Sequence, residues 1–399
     1  MLQKPISNNA YKTLFLHLLF IVSTLLTNSF IHVLLWRLRS DFGYIAYFDL
    51  MYGLLMLVGY FFSGFLLAVL KSKQVFRLSF FILIIMYSLI LHLREGLIDH
   101  LLLLGTLQGL GSGIYWGTYN LLQIRLTNDQ NREHFFGTLA GLFTVLATFL
   151  PALTGFLITY LPQVVGMEFA GYYLLYALSI SVLLIMAGYV ELLPVYSLRY
   201  FRFSQVLGIT NSQRFKNFSF YELLNGFSET ATKLLLVIFS YQILKTEFSL
   251  GLYSAIFGLF GAAYIYFLSK RIDIKKRSLF ILIGAFLIFF GKAIFITHLN
   301  LNSLIADRIL STLGGPLFGF PAAAIILSTI ESRSNFFLET ESQYLAAREI
   351  ALGFGRFFGA LFFIMFVTFI GSQNLQAIKV WFFVVSMVPI LQWKFIRKI

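Results

Sequence analysis

The chain of 399 residues contains no cysteine. Disulfides and thiolate chemistry are excluded, and the redox compartment is left open. Charged residues are scarce, at 12%, against about 25% in soluble domains. With 59% hydrophobic residues and a mean hydropathy of +0.83, that scarcity marks an integral membrane protein. Acidic residues are the rarer kind, 17 against 30 Lys and Arg, for a formal charge of +13. In a soluble protein this surplus would suggest nucleic acid. Here the basic residues sit in short loops between apolar runs, so topology accounts for them and no nucleic-acid partner is expected. There is no phosphate-binding loop, which argues against ATP hydrolysis by the chain itself. Gly109, Gly111 and Gly113 resemble one in spelling only, because they lie in an apolar helix with no strand before it. Close helix packing explains them better. His92, Glu95, Asp99 and His100 gather at one turn, where solvated loop residues are the simpler reading than a metal site. No cofactor or metal is expected.

What is abundant is Phe, 47 residues of it, together with long apolar runs suited to lipid contact. A membrane span needs about 20 apolar residues. Twelve such runs are expected, over 13–36, 43–70, 75–93, 99–124, 133–161, 168–193, 217–244, 250–270, 277–299, 303–331, 342–370 and 375–396. The first follows Lys4 and Lys12, exceeds a signal-peptide core, and lacks a small-x-small cleavage site after it, so it reads as a span. With the N-terminus cytoplasmic, twenty Lys and Arg fall on the cytoplasmic side and six on the other. Both termini are therefore expected inside, in the plasma membrane, with the bilayer and a small-molecule substrate as partners and a monomer as the working form.

The chain also echoes itself. Gly105, Gly111 and Gly117 match Arg308, Gly314 and Phe320 at a shift of 203; Arg132, Glu133, Gly137 and Gly155 match Arg348, Glu349, Gly353 and Gly371 at a shift of 216. The all-α fold expected is two six-helix bundles, 1–193 and 217–399, joined by a cytoplasmic linker over 194–216 in which basic and aromatic residues mix, as on an anionic membrane face.

Twelve spans in two repeats, with a basic central link, resemble the major facilitator superfamily of secondary transporters. The resemblance covers the whole chain by topology, while its local motifs are degraded. The loop after the second span keeps Gly64, Lys71, Lys73 and Arg77 but lacks the acidic residue the family carries there. The fourth span keeps Gln108–Gly109, with Gly105 where the family has an arginine, and the fifth keeps only Pro151 and Gly155 of an exporter pattern. The resemblance implies a cytoplasmic gate at Lys71, Lys73 and Arg77, and a central cavity bordered by spans seven and eleven.

Charges inside a span are costly and point to function. Glu222, Asn225, Glu229 and Lys233 are spaced 3, 4 and 4 along the seventh span and share a face, with Glu229 and Lys233 as i,i+4 partners. Arg356 is expected at similar depth in the eleventh span. Glu229 is the first proton-coupling candidate and Asp49, in the second span, the other. An ion pair that merely holds helices together is the competing account of the group. Asn28 and His32 in the first span, and Tyr115, Trp116, Tyr119 and Asn120 in the fourth, join Asn225, Lys233 and Arg356 as cavity candidates, although packing explains the aromatic residues equally well. Lys292 is expected to snorkel outward. Arg132–Glu133 and Arg348–Glu349 are expected at the cytoplasmic starts of spans five and eleven, as latches whose glutamates favour the helix dipole. Pro316 and Pro321, beside Gly314, Gly315 and Gly319, predict a kinked or broken tenth helix and a hinge. The expected function is proton-coupled secondary transport by alternating access, in the export direction and without enzymatic activity. Uptake of an anionic or zwitterionic metabolite and lipid flipping are the nearest alternatives. A lipid-modifying membrane enzyme and a non-transporting sensor are the competitors from other classes.

Overall fold

A computed structural model describes residues 7–127, 131–198, 213–269, 276–331 and 338–399. Among these every regular element is helical. The helices are α1 (Asn8–Asn28), α2 (Ile31–Leu38), α3 (Phe42–Val69), α4 (Ser72–Leu93), α5 (Leu101–Leu126), α6 (Arg132–Val165), α7 (Ala170–Tyr189), α8 (Gln213–Leu244), α9 (Glu247–Ser269), α10 (Arg277–His298), α11 (Leu301–Glu331), α12 (Leu338–Ile370), α13 (Leu375–Ser386) and α14 (Val388–Ile396). Short 3₁₀ segments follow α4 (Arg94–His100) and α7 (Val190–Leu192).

Several helices start where the sequence offers side-chain acceptors to orphan N–H groups. Asp41 Oδ1 accepts from the Gly43 and Tyr44 amides at the head of α3. At α11, Ser303 N–H donates to Asn300 Oδ1 while Asn300 N–H donates to Ser303 Oγ, a reciprocal pair. Asn374 caps α13 by accepting from the Ala377 amide. α6 ends at Gly166, whose φ of +73° suits a residue without Cβ.

Among the described residues, nine stretches are long and apolar enough to cross a membrane, and one of them, Ser72–Gln123, runs through both α4 and α5. α8 is absent from the nine because Lys216, Glu222, Glu229 and Lys233 interrupt its apolar character. Many large apolar side chains face outward, including Phe81 at 60%, Val164 at 83% and Phe369 at 83% exposure. Lipid contact removes the cost such exposure would carry in water. The chain is a multi-pass membrane protein.

The chain divides into two compact units: 1–39 with 51–202 and 246–255, and 40–50 with 203–245 and 256–399. The head of α3 therefore belongs to the second unit, and that of α9 to the first. In the first unit α1 packs on α5, α6 and α7, and α4 packs on α5 and α7. In the second, α8 packs on α11, α12, α13 and α14, and α10 on α11, α13 and α14. Glycines permit the closest approaches. A Cβ on Gly226 would strike the Leu352 carbonyl oxygen, and one on Gly355 the Leu223 carbonyl oxygen, so α8 and α12 meet backbone to backbone. Gly109 meets α3 in the same way, its Cβ position lying 2.6 Å from the Tyr52 carbonyl oxygen. Close packing is thus what the glycines of the fourth span provide.

One expectation about elements is narrowed and one corrected. α11 is continuous through Pro316 and Pro321, so the helix is not broken there. The first apolar run, by contrast, is interrupted: Ser29 and Phe30 separate α1 from α2. Asn28 and His32 therefore do not lie one turn apart on one helix, and His32 is buried within α2.

Candidate functional site: a polar helix pair and an aromatic cavity

Charged side chains gather along α8 and α12 of the second unit. Glu222 is 1% exposed and accepts a hydrogen bond from Arg348 Nε at 2.8 Å. Asn225 Nδ2 donates to the other Glu222 oxygen at 3.4 Å. Arg348 also lies 3.8 Å from Glu349 through its NH1 group. One guanidinium is thus placed between two carboxylates. About two turns along the same helix pair, Arg356 Nε donates to Glu229 Oε2 at 2.9 Å.

The predicted Glu229–Lys233 pair is not formed. Glu229 is matched across the helix interface to Arg356, and Lys233 is exposed. A planar guanidinium reaching over from a neighbouring helix offers better geometry than an ammonium on the same face. Arg348–Glu349 also departs from expectation, since α12 begins at Leu338 and the pair lies nearly three turns inside it. Its glutamate is too far in to act on the helix dipole, and its arginine serves Glu222. Arg132 does open α6; the side chains of Arg132 and Glu133 lie outside the described residues. Glu222 is the residue that sequence reasoning undervalued. The signal was its shared face with Glu229, but nothing in the sequence ties position 222 to position 348. Asp49 is buried in the head of α3, in the second unit. Lys292 does not turn outward; its Nζ lies 5.7 Å from the Phe382 ring centroid.

In the first unit, α1, α3, α5 and α6 line an open cavity of about 440 Å³. Asn28 and Trp116 line it, as do Thr24, Tyr52 and Ser112. Tyr115 and Tyr119 stand behind its wall, fully buried, and Asn120 is turned to Tyr60 Oη at 3.4 Å. The residue missed in the sequence is His17. It lines the cavity, its ring stacks on Tyr119 at 3.9 Å and 11°, and its Nδ1 is 2.9 Å from Tyr115 Oη. Its spacing to Ile21, Thr24 and Asn28 places all four on one face of α1, a pattern visible in the sequence. Gln108, on the degraded fourth-span motif, is buried and donates through Nε2 to Asn28 Oδ1.

The basic loop after α3 gains its missing acid from elsewhere. Glu191, after α7, accepts from Lys73 Nζ at 3.3 Å and from Arg77. The start of the predicted linker is pinned to the same corner: Tyr196 and Ser72 exchange hydrogen bonds, and Leu198 N–H donates to Leu67 O at 2.8 Å. Residues 199–212 of that linker lie outside the described residues, and α8 already begins at Gln213. Lys71, the third gate candidate, is exposed at the head of α4.

The structure resembles that of the nucleoside transporter NupG, with a TM-score of 0.70 over 98% of this chain and 99% of that one, at 13% identity. It resembles a POT family transporter in complex with 5-aminolevulinic acid, with a TM-score of 0.71 over 98% and 95%, at 12% identity. A bacterial homologue of the iron transporter ferroportin in an inward-facing state matches with a TM-score of 0.68 over 99% of both chains, at 15% identity. The chain has a major-facilitator-type transporter fold. No family model matches the sequence. Among relatives, the uncharacterized protein YqgE of Bacillus subtilis (strain 168) is 24% identical over 349 residues, covering 86% of this chain and 79% of that protein. An uncharacterized protein in the sodM 3' region of Geobacillus stearothermophilus is 27% identical over 144 residues, covering 36% of this chain and 67% of its own length. This fold sets the polar pair α8–α12 and the aromatic cavity in a membrane context, where buried charges and enclosed polar groups need a reason.

Proposed function

We propose that the chain is a secondary transporter that carries a small solute across the plasma membrane by alternating access, with two six-helix halves, 1–193 and 217–399, and both termini cytoplasmic. Taking α1 with α2 and α13 with α14 as single broken spans, twelve spans result. The recurrence of equivalent pairings supports two repeats, with α1–α6 and α4–α5 in one unit answered by α8–α12 and α10–α11 in the other. Nucleoside and metal transporters of the same fold match nearly the full chain, which supports transport over a lipid-modifying enzyme.

The observation that carries the coupling proposal is the Glu229–Arg356 pair, set on the same helix faces as Glu222–Arg348. Glu229 is half-exposed while Arg356 is largely covered. A proton reaching Glu229 would release Arg356 and change the force holding α8 to α12, which links protonation to conformation. Asp49 is the secondary proton site in this reading. Lys71, Lys73 and Arg77, with Glu191 as their counter-charge, form the cytoplasmic gate. Arg132–Glu133 and Arg348–Glu349 are latches, Pro316 and Pro321 a hinge region, and export is the preferred direction. Uptake of an anionic solute is less favoured, because Arg348 and Arg356 already have carboxylate partners.

The test is solute flux in proteoliposomes under an imposed pH gradient. Glu229→Gln is expected to abolish gradient-driven accumulation while leaving exchange of solute intact. Equal accumulation by the variant would overturn coupling through Glu229.

A further inference from the structure

The cavity of the first unit differs from the polar helix pair in one respect that bears on its chemistry: among the described residues, no acid, lysine or arginine lines it. A charged ligand would lose its hydration there with no counter-charge to offset the loss. Its volume of about 440 Å³ is within the range of small-molecule sites. Its walls supply aromatic rings from four helices, including Phe20 on α1, Tyr52 on α3, Trp116 on α5 and Phe143 on α6. Such rings favour a flat apolar body.

Two polar groups on α1 are held in fixed orientations. Tyr115 is wholly buried, and its hydroxyl has His17 Nδ1 as its partner. With Tyr115 O–H assigned as the donor to Nδ1, which satisfies the buried hydroxyl, the imidazole hydrogen sits on Nε2. Nε2 has no partner among the described residues, and His17 is 3% exposed on the cavity wall. Stacking on Tyr119 fixes the ring plane. Asn28 has its Oδ1 occupied by Gln108 Nε2, which leaves its amide hydrogens as donors. His17 and Asn28 are eleven residues apart, roughly 16 Å along the helix at 1.5 Å per residue. Both groups offered are donors, and they lie towards opposite ends of the wall.

We propose that this cavity binds an uncharged, elongated aromatic molecule with a hydrogen-bond acceptor towards each end, its rings against Trp116 and Phe20 and its acceptors on His17 Nε2–H and Asn28 Nδ2–H. This names the solute class for the transport reading above and rests on it only for calling the ligand a transported solute.

The test uses the purified full-length protein and a matched pair of probes, 4-nitrohippuramide and its carboxylate analogue 4-nitrohippurate. The two share an aromatic ring, a nitro acceptor at one end and a carbonyl at the other, and differ in charge. The amide is expected to bind by calorimetry and to raise the unfolding midpoint, since a ligand that binds the folded state stabilises it. The carboxylate is expected to bind at least about ten-fold more weakly. His17→Phe keeps the stacked ring and removes the donor; Asn28→Leu keeps the shape and removes the other. Each is expected to weaken the amide about ten-fold and to elute as the wild type does on size exclusion. Trp116→Leu tests the stacking wall in the same way. Binding of neither probe, equal binding of both, or unchanged affinity in both polar variants would overturn the proposal. Binding is read without flux, so its failure leaves the transport reading standing. Binding with no flux in vesicles would instead remove transport and leave the site.

Discussion

Glu222 shows how a single residue couples two helices. Its carboxylate is 1% exposed, and it holds Arg348, whose side chain is 34% exposed. Removing one partner of a buried pair leaves the other uncompensated, at a cost of several kcal/mol when both are enclosed. Partial exposure of Arg348 reduces that, so Glu222→Gln is expected to cost about 2 kcal/mol. Thermal unfolding of the single variants and of Glu222→Gln/Arg348→Gln checks it. The double variant should lose less than the sum of the two singles, and additive losses would show that the pair does not interact. At this scale the sequence displayed the residues but not their partners. Glu229 was matched by spacing to Lys233, because i,i+4 proximity is the only contact a linear pattern can supply. The folded helix pair brings Arg356 to 2.9 Å instead. The acid missing from the basic loop was likewise present more than a hundred residues away, as Glu191.

Helix packing in this chain is governed by where glycine is needed and where it is not. Gly355 sits against the Leu223 carbonyl with no room for a side chain, while Gly319 has open space around its Cβ position. Gly355→Val is expected to force α8 and α12 apart and to lower stability by about 2 kcal/mol. Gly319→Ala is expected to be neutral or stabilising by up to about 1 kcal/mol, from helix propensity alone. Unfolding midpoints of the two variants in one detergent compare them directly. A destabilised Gly319→Ala would mean that α11 uses that position in a conformation other than the helix seen. The glycines of α5 were legible as packing residues because an apolar helix offers them no other use. The continuity of α11 through two prolines was not legible, because local rules score the lost hydrogen bonds and cannot score the neighbours.

Orientation belongs to the whole molecule, and the lack of cysteine makes it directly measurable. Gly96 lies on the exposed 3₁₀ segment between α4 and α5, and Lys398 is exposed beyond α14. In intact cells a membrane-impermeant maleimide is expected to label Gly96→Cys, and to reach Lys398→Cys only after permeabilisation. The reverse pattern would place the termini outside and invert the proposed gate. The basic bias of the loops is the physical ground for the expected result.

The sequence by itself determined that this chain lives in a bilayer and that it is helical. Those properties follow from composition, apolar run length and local periodicity, which act over one helix at a time. It also carried the glycines that let helices touch and the polar residues that start them. Only the tertiary structure decided which charge meets which, that His17 rather than His32 faces the aromatic cavity, and that the heads of α3 and α9 fall in different units from their tails. These outcomes depend on contacts between segments far apart in the chain, and a buried charge or ring is matched by whatever the packed neighbour presents.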